Sequence, residues 1–111
     1  MIVGSTIWKL DGNPYYSPEF PRGGLAGTFV IDVSHVNATP DVTVTIEHRN
    51  AEDTSFTTAA TFSSVTAVGV ATKDATSLKE ITRLKFEFDA GDATNAAIHF
   101  LIQAPTWRPY N

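Results

Sequence analysis

The run Val42-Thr43-Val44-Thr45-Ile46-Glu47-His48 alternates apolar and polar side chains at every step until it closes on histidine. Successive side chains of a strand point to opposite faces, so this period of two fits a sheet with one dry and one wet face, and it does not fit a helix. Val42, Val44 and Ile46 are therefore expected in the core. Three further rows repeat the pattern: Phe29, Ile31 and Val33; Leu84, Phe86 and Phe88; and Ile98, Phe100 and Ile102. Weaker strands are expected from Met1 to Trp8, from Phe56 to Phe62 with Phe56, Thr58, Ala60 and Phe62 on one face, and from about Thr66 to Thr72. Val, Ile and Thr make up 31 of the 111 residues, and their stiff χ1 angles suit a pleated surface.

Turn-forming clusters punctuate these rows at about one strand length apart. They are Asn37-Ala38-Thr39-Pro40-Asp41, Arg49-Asn50-Ala51-Glu52-Asp53-Thr54 and Asp89-Ala90-Gly91-Asp92-Ala93, the layout of a sandwich or barrel with antiparallel connections. Lys73 to Glu80 is the only stretch with helical character. Asp74 is placed to cap it and Leu78 to point inward, but it is too short for an independent helix and is expected as a crossing loop. A chain of 12.0 kDa buries about two-thirds of its unfolded surface on folding and can hold one core. The expectation is a single all-β domain over residues 1–111: an antiparallel β-sandwich, jelly-roll or immunoglobulin-like, with seven or eight strands.

Two segments break the alternation. Residues 12–24, Gly-Asn-Pro-Tyr-Tyr-Ser-Pro-Glu-Phe-Pro-Arg-Gly-Gly, hold three of the six prolines and three of the seven glycines. They are expected as an irregular loop that cannot enter the centre of a ladder. Residues 104–111, Ala-Pro-Thr-Trp-Arg-Pro-Tyr-Asn, read as an extended arm whose removal from Pro105 onward leaves folding largely intact.

Charge and composition exclude several classes of function. Eight basic residues against twelve acidic ones give a formal charge of −4 and a pI near 5.1, with no local basic patch for nucleic acid or an anionic membrane surface. The absence of Cys removes disulfides and thiolate metal sites. The start carries no basic region ahead of its apolar residues, so it reads as a strand and not a secretory signal. No apolar run approaches the roughly 20 residues a spanning helix needs.

Catalytic constellations are sparse. His35, His48 and His99 have no nucleophile at a spacing that predicts a triad, and no nucleophile elbow is present. His48 closes the cleanest strand on its apolar parity and is expected half-buried, satisfied by a loop carbonyl. His99 and Gln103 lie on the polar face of the last strand. Glu47 and Glu87 resemble a carboxylate pair only if their strands adjoin, and solvated outer-face charges offset by Arg49, Arg83 and Lys85 explain them equally. Asp89, Asp92, Thr94 and Asn95 form an oxygen-rich loop whose spacing is not that of a calcium loop, so a β-turn is expected. Asn37-Ala38-Thr39 has the form of a glycosylation sequon and reads as a turn. No catalytic residue, metal site or cofactor is assigned.

The aromatic residues outside the alternating rows are the most informative set. Trp8, Tyr15, Tyr16, Phe20, Trp107 and Tyr110 gather near the chain ends and in the proline segment, beside Arg22 and Arg108. Either the ends and the loop pack together over one end of the sandwich, or these residues bind a partner protein, or they stack on sugar.

The run Thr45-Ile46-Glu47-His48-Arg49-Asn50-Ala51-Glu52-Asp53-Thr54-Ser55-Phe56-Thr57-Thr58-Ala59-Ala60-Thr61-Phe62 resembles a hairpin of small β-sandwich virion proteins of tailed bacteriophages. In these an alternating strand ends in a polar, Asp-containing turn and the return strand opens with Ser/Thr-aromatic-Thr. Ser77-Leu78-Lys79-Glu80-Ile81-Thr82-Arg83-Leu84-Lys85-Phe86-Glu87-Phe88 is similar to the companion strand. The chain departs from the pattern where Ala51-Glu52 replaces the Gly common in that turn. The resemblance implies a non-enzymatic capsid decoration or cement protein, made in the host cytoplasm and carried on the outer surface of the virion head. Its implied partners are the major capsid protein and further copies of itself, with a trimer as the expected oligomer. The residues assigned to partner binding are Trp8, Tyr15, Tyr16, Phe20, Arg22, Trp107, Arg108 and Tyr110. A non-catalytic carbohydrate-binding or adhesion module, using Trp8, Tyr15, Tyr16 or Trp107 as stacking platforms, is the alternative.

Overall fold

A computed structural model of the chain describes residues 2–110; Met1 and Asn111, the outermost residues of the expected first strand and C-terminal arm, lie outside the described residues. The strands are β1 (Val3–Trp8), β2 (Tyr15–Tyr16), β3 (Phe20–Pro21), β4 (Ala26–Asn37), β5 (Val42–Arg49), β6 (Thr57–Thr61), β7 (Gly69–Ala75), β8 (Ile81–Phe88), β9 (Ala97–Ile102) and β10 (Thr106–Arg108). All pair antiparallel, in two sheets. In sheet A, β4 pairs with β9 and β10 along one side and with β7 along the other, and β1 pairs with β9; in sheet B, β8 joins β2 and β3 to β5, which pairs with β6.

Ten strands exceed the expected seven or eight because two lines of chain are interrupted. β9 and β10 run end to end against β4, and β2 and β3 run end to end against β8. The second interruption has a clear cause. Ser17 N–H donates to the Leu84 carbonyl at 2.8 Å, and Ser17 Oγ accepts the Leu84 N–H at 2.8 Å in place of a backbone oxygen, just before Pro18 leaves the ladder. Proline has no N–H to give, so such a line is stable only at a sheet edge.

Counted as eight lines, the first pairs with the last, the second with the seventh, the third with the sixth and the fourth with the fifth. The chain is one long hairpin wrapped into two sheets ordered 1-8-3-6 and 2-7-4-5, which is a jelly roll. An immunoglobulin-like domain instead orders its strands 1-2-5-4 and 3-6-7, so that alternative is excluded. The hairpin from Thr45 to Phe62 is the tip of the wrapped ribbon.

The core is the inner parity of each row: Phe29, Ile31, Val33, Val42, Val44, Ile46, Leu84, Phe86, Ile98, Phe100 and Ile102 are all buried. Phe86 and Phe100 stack across the two sheets at 4.2 Å, and Tyr15 meets both edge-on at 5.9 and 5.8 Å. At the other end Phe29, Phe20 and Trp107 form a triangle with centroids 5.7 to 6.4 Å apart. These offset and edge contacts add to the area term because positive ring edges meet negative faces.

Two expectations are corrected. The single face assigned to Phe56, Thr58, Ala60 and Phe62 is split by a bulge: Ile46 lies opposite Ala60 but Glu47 lies opposite Thr58, leaving Ala59 unopposed. Ala60 and Phe62 therefore turn inward, whereas Phe56 and Thr58 share the outer face with Glu47. The strand expected over 66–72 begins at Gly69 and runs on to Ala75, absorbing the start of the supposed crossing loop. Asp74 caps no helix; its carboxylate accepts the Thr28 hydroxyl at 2.6 Å across the β4–β7 ladder. Leu78 does pack inward.

One core residue is chemically mismatched. Thr82 is 0% exposed, and its Oγ1 has no hydrogen-bond partner among the described residues. A desolvated, unpaired hydroxyl opposes folding, and valine has nearly the same shape without it. Thr82→Val is expected to raise stability by about 1 kcal/mol in urea unfolding; a loss of stability would show that the hydroxyl is satisfied.

Candidate functional site

The register assigns every strand residue to an inner or outer face, and the two outer faces differ in chemistry. On sheet B the outer face is charged and internally paired. Arg83 Nε donates to Glu47 Oε1 at 2.9 Å, and its guanidinium carbon lies 4.0 Å from the Tyr16 ring centroid and 3.9 Å from that of Phe56. Arg49 reaches Glu19 at 3.6 Å, stands 5.3 Å over Phe56, and donates through Nη1 to the carbonyls of Asn50, Ala51 and Asp53. Lys85 lies 3.7 Å from Glu87. The cations of this face are thus held by aromatic faces, carboxylates and carbonyls of the same chain. The arginine fan over the 50–53 carbonyls also orders the turn without the glycine that the resemblance would place there.

Sheet A presents a different outer face. Its cross-strand rows are Trp8 beside Ala97 and Asn37; Thr6 beside His99 and His35; and Gly4 beside Leu101, Asp32 and Val70, with Val30 beside Thr72. Trp8 is 49% and Val70 66% exposed. Leu101 lies flat because its neighbour is Gly4: a Cβ there would stand 2.9 Å from Leu101 Cδ1. In these rows Asp32 is the only charged side chain; further along the same face Asp74 and Arg108 both bond to Thr28. The cations near this sheet sit at its margins: Arg108 donates to Thr28 Oγ1 at 3.2 Å, Lys9 donates to the carbonyls of Ala90 and Asp92, and Lys73 lies on the edge strand β7.

The residues expected to bind a partner separate into three groups. Tyr15, Phe20 and Trp107 are half-buried, with their rings against core phenylalanines. Arg22 and Arg108 bond to this chain: Arg22 Nη1 donates to the Leu78 carbonyl and Arg108 to Thr28. Trp8, Tyr16 and Tyr110 are exposed, but they do not converge. Tyr16 lies on sheet B under Arg83, while Trp8 lies level with Asn37 and Arg108 level with Ala26 at the two ends of β4, roughly 35 Å apart at ~3.3 Å per residue. The proline segment and the C-terminal segment do pack together. Residues 106–108 extend as expected, and they are a ladder strand of sheet A. Val30 and Leu101 occupy the polar parity of their rows and are outward by alternation, but only the register gathers them with Val70, from a strand with no readable period, onto one face.

The remaining candidates resolve into structural roles. Asp92 receives the N–H groups of Asp41 and Asp89 on its carboxylate, and Asp89 Oδ1 receives that of Gly91, so this oxygen-rich loop is tied by its own backbone. Among the described residues no three His, Cys, Asp or Glu side chains gather at metal-binding distance, and no helix is long and apolar enough to cross a membrane. Glu47 and Glu87 do lie on adjoining strands, with Glu47 opposite Arg83 and Glu87 opposite Thr43, and each carboxylate faces a cation.

His48 is buried more deeply than the half-burial expected, and it is satisfied differently: its Nδ1 accepts the Lys79 N–H at 3.2 Å, in place of the expected carbonyl partner. That bond fixes the neutral tautomer with the proton on Nε2. Burial, and then the positive charge of Lys79, lower its pKa from the ordinary 6.5. The unfolded chain therefore takes up a proton at higher pH than the folded one does. The stabilising effect is complete above 6.5 and is lost as the pH falls through that value toward the lower folded pKa. The melting temperature is expected to drop between pH 7.5 and pH 5 by more in the wild type than in His48→Asn, whose amide oxygen can accept the same N–H. Equal drops would remove His48 as the cause.

Compared with known proteins, the chain matches no family model, no curated protein and no solved structure.

Proposed function

We propose that this protein is a structural docking protein, a capsid decoration or cement protein on the outside of a phage head, acting through the outer face of sheet A. The observation that carries this is the contrast between the two faces. Charges on sheet B are matched within the chain, while the rows of sheet A that carry Trp8, Leu101, Val30 and Val70 hold one carboxylate, Asp32, and no Lys or Arg. A face poor in charge and rich in flat apolar groups is what the centre of a protein interface requires, because desolvating it costs little. A jelly roll by itself specifies no activity, so the weight rests on that face and on the likeness of the Thr45–Phe62 hairpin to virion proteins. The partner is the major capsid protein, and many copies each making a modest contact hold the shell by avidity. Nucleic acid and membrane are not partners in this proposal.

Carbohydrate binding has less support. A stacking platform needs a free ring face, yet Tyr15, Phe20 and Trp107 spend theirs on the core and Tyr16 on Arg83. Trp8 and Tyr110 are left.

The test is occupancy. In particles banded from cells infected with a phage encoding this chain, the protein is expected to travel with the heads. Leu101→Glu sets a carboxylate opposite Asp32, where the row offers no cation to pair it, without touching the core, and is expected to lower the occupancy of the folded variant at least tenfold, equivalent to about 1.4 kcal/mol per site. Wild-type protein absent from the heads, or a glycan-array signal that depends on Trp8, would overturn the proposal.

A further inference from the structure

We infer that the outer edge of β7 is a self-association site, joining two copies of this chain strand to strand about a two-fold axis. Gln103 N–H donates to the Val30 carbonyl at 3.0 Å, so Val30 directs its backbone groups toward the β9 and β10 side of β4. Thr72 lies opposite Val30, and in an antiparallel ladder it therefore turns its own N–H and C=O away from β4. By the alternation of the strand, Val70 does the same. Among the described residues no strand pairs with that side of β7. An unpaired row of donors and acceptors is matched by an extended backbone, which identifies the occupant as a β-strand.

Three observations select a second copy. The stretch Phe62-Ser63-Ser64-Val65-Thr66-Ala67-Val68-Gly69-Val70-Ala71-Thr72 carries no charge. In antiparallel self-pairing each residue meets a residue of the same segment, so like charges would oppose one another, and here none do. Val68 and Val70 are 61% and 66% exposed, and they flank a groove of about 330 Å³ lined by Val33, Phe62, Val65 and Ala71 among others. Side chains of the opposing strand can fill it without desolvating an ion. Three other edges are less suited. The β6 edge is interrupted by the bulge at Ala59, which twists an edge away from further pairing, the β2 and β3 edge carries Pro14, Pro18 and Pro21, and the groove lies along β7 and not along β1. Lys73 and Asp74 lie beyond Thr72 and confine the pairing to the uncharged half of the strand.

An isologous contact of this kind closes at two subunits, so it builds a dimer and not the trimer that the resemblance implies. It also extends the outer face of sheet A across both copies, doubling the apolar surface presented in one plane. The inference stands independently of the capsid partner, because it concerns the purified protein alone.

Light scattering during size-exclusion chromatography tests it. The wild type is expected to pass from 12.0 kDa at low concentration to twice that mass at high concentration, and the amides of Val70 and Thr72 to exchange more slowly with deuterium as the dimer forms. Val70→Pro removes an outward N–H that β4 does not use, and Val68→Lys with Val70→Lys sets like charges against each other. Both are expected to remain at the monomer mass at every concentration while the lysine variant keeps the wild-type melting temperature. A wild type that is monomeric throughout, or a dimer that persists in the folded lysine variant, would overturn the inference.

Discussion

Trp107→Ala is expected to lower unfolding free energy by about 3 kcal/mol, a large effect for a residue so near the end of the chain. Sequence reasoning makes this segment an arm that folding can do without, and the structure makes it a strand with an anchor. Thr106, Trp107 and Arg108 pair with Thr28, Gly27 and Ala26. The indole meets Phe29 edge-on at 5.7 Å and Phe20 at 6.3 Å. A Cβ on Gly27 would stand 3.2 Å from the ring, and one on Gly23 would stand 2.5 Å from it, so glycines line its bed on two sides. Removing the indole opens a cavity that rigid β4 and the neighbouring Gly23–Gly24 turn cannot readily close, and the loss of transfer energy adds to the cavity cost. The measurement is the urea midpoint of the variant, with Tyr110→Ala as the control. Tyr110 is 69% exposed, and its removal is expected to leave the midpoint unchanged. If Trp107→Ala behaves like Tyr110→Ala, the segment is an arm after all.

The contrast between those two aromatics explains what was legible in the sequence. Four long strands were readable because each row of alternating residues carries its own burial information: Val42, Val44 and Ile46 are inside by parity alone, and the structure buries them. β10 and the β2–β3 line have three residues or fewer per segment and are flanked by proline, so no period can be counted in them. Their burial comes from single aromatic residues meeting a core assembled from distant strands. Trp107 and Tyr110 both sit next to prolines near the C-terminus, and only the tertiary partner of one distinguishes them. The bulge at Ala59 is a second case of the same kind. Nothing within residues 56–62 announces an unopposed residue, since a bulge is a property of the pair β5–β6; its consequence is that Phe56 becomes the outer-face seat for Arg83 and not a core residue. For the docking face the sequence showed that Trp8 lies outside the rows, and Val30 and Leu101 are apolar residues on the polar parity of β4 and β9; what the sequence could not show is that the register sets Leu101 level with Gly4 and Val70 on one surface.

Gly24→Ala is expected to cost about 2 kcal/mol, and its dependence on Trp107 is the sharper test of how the two ends of the chain are joined. A Cβ at Gly24 would stand 2.1 Å from the Arg108 carbonyl oxygen and 2.7 Å from its carbon. Both are backbone atoms of β10, so no rotamer change relieves the clash; either the turn or the strand must move. The close approach exists because the indole and the Arg108 bond to Thr28 pull β10 down onto β4. In a chain ending at Pro105 that strand is absent and the added methyl meets nothing from it. The two perturbations should therefore be strongly non-additive. Gly24→Ala destabilises the full chain by about 2 kcal/mol and the truncated chain, itself weakened by loss of Trp107, by less than about 0.5 kcal/mol. Equal costs in both backgrounds would place the strain within the turn itself and would detach the packing of residues 12–24 from that of the C-terminal strand.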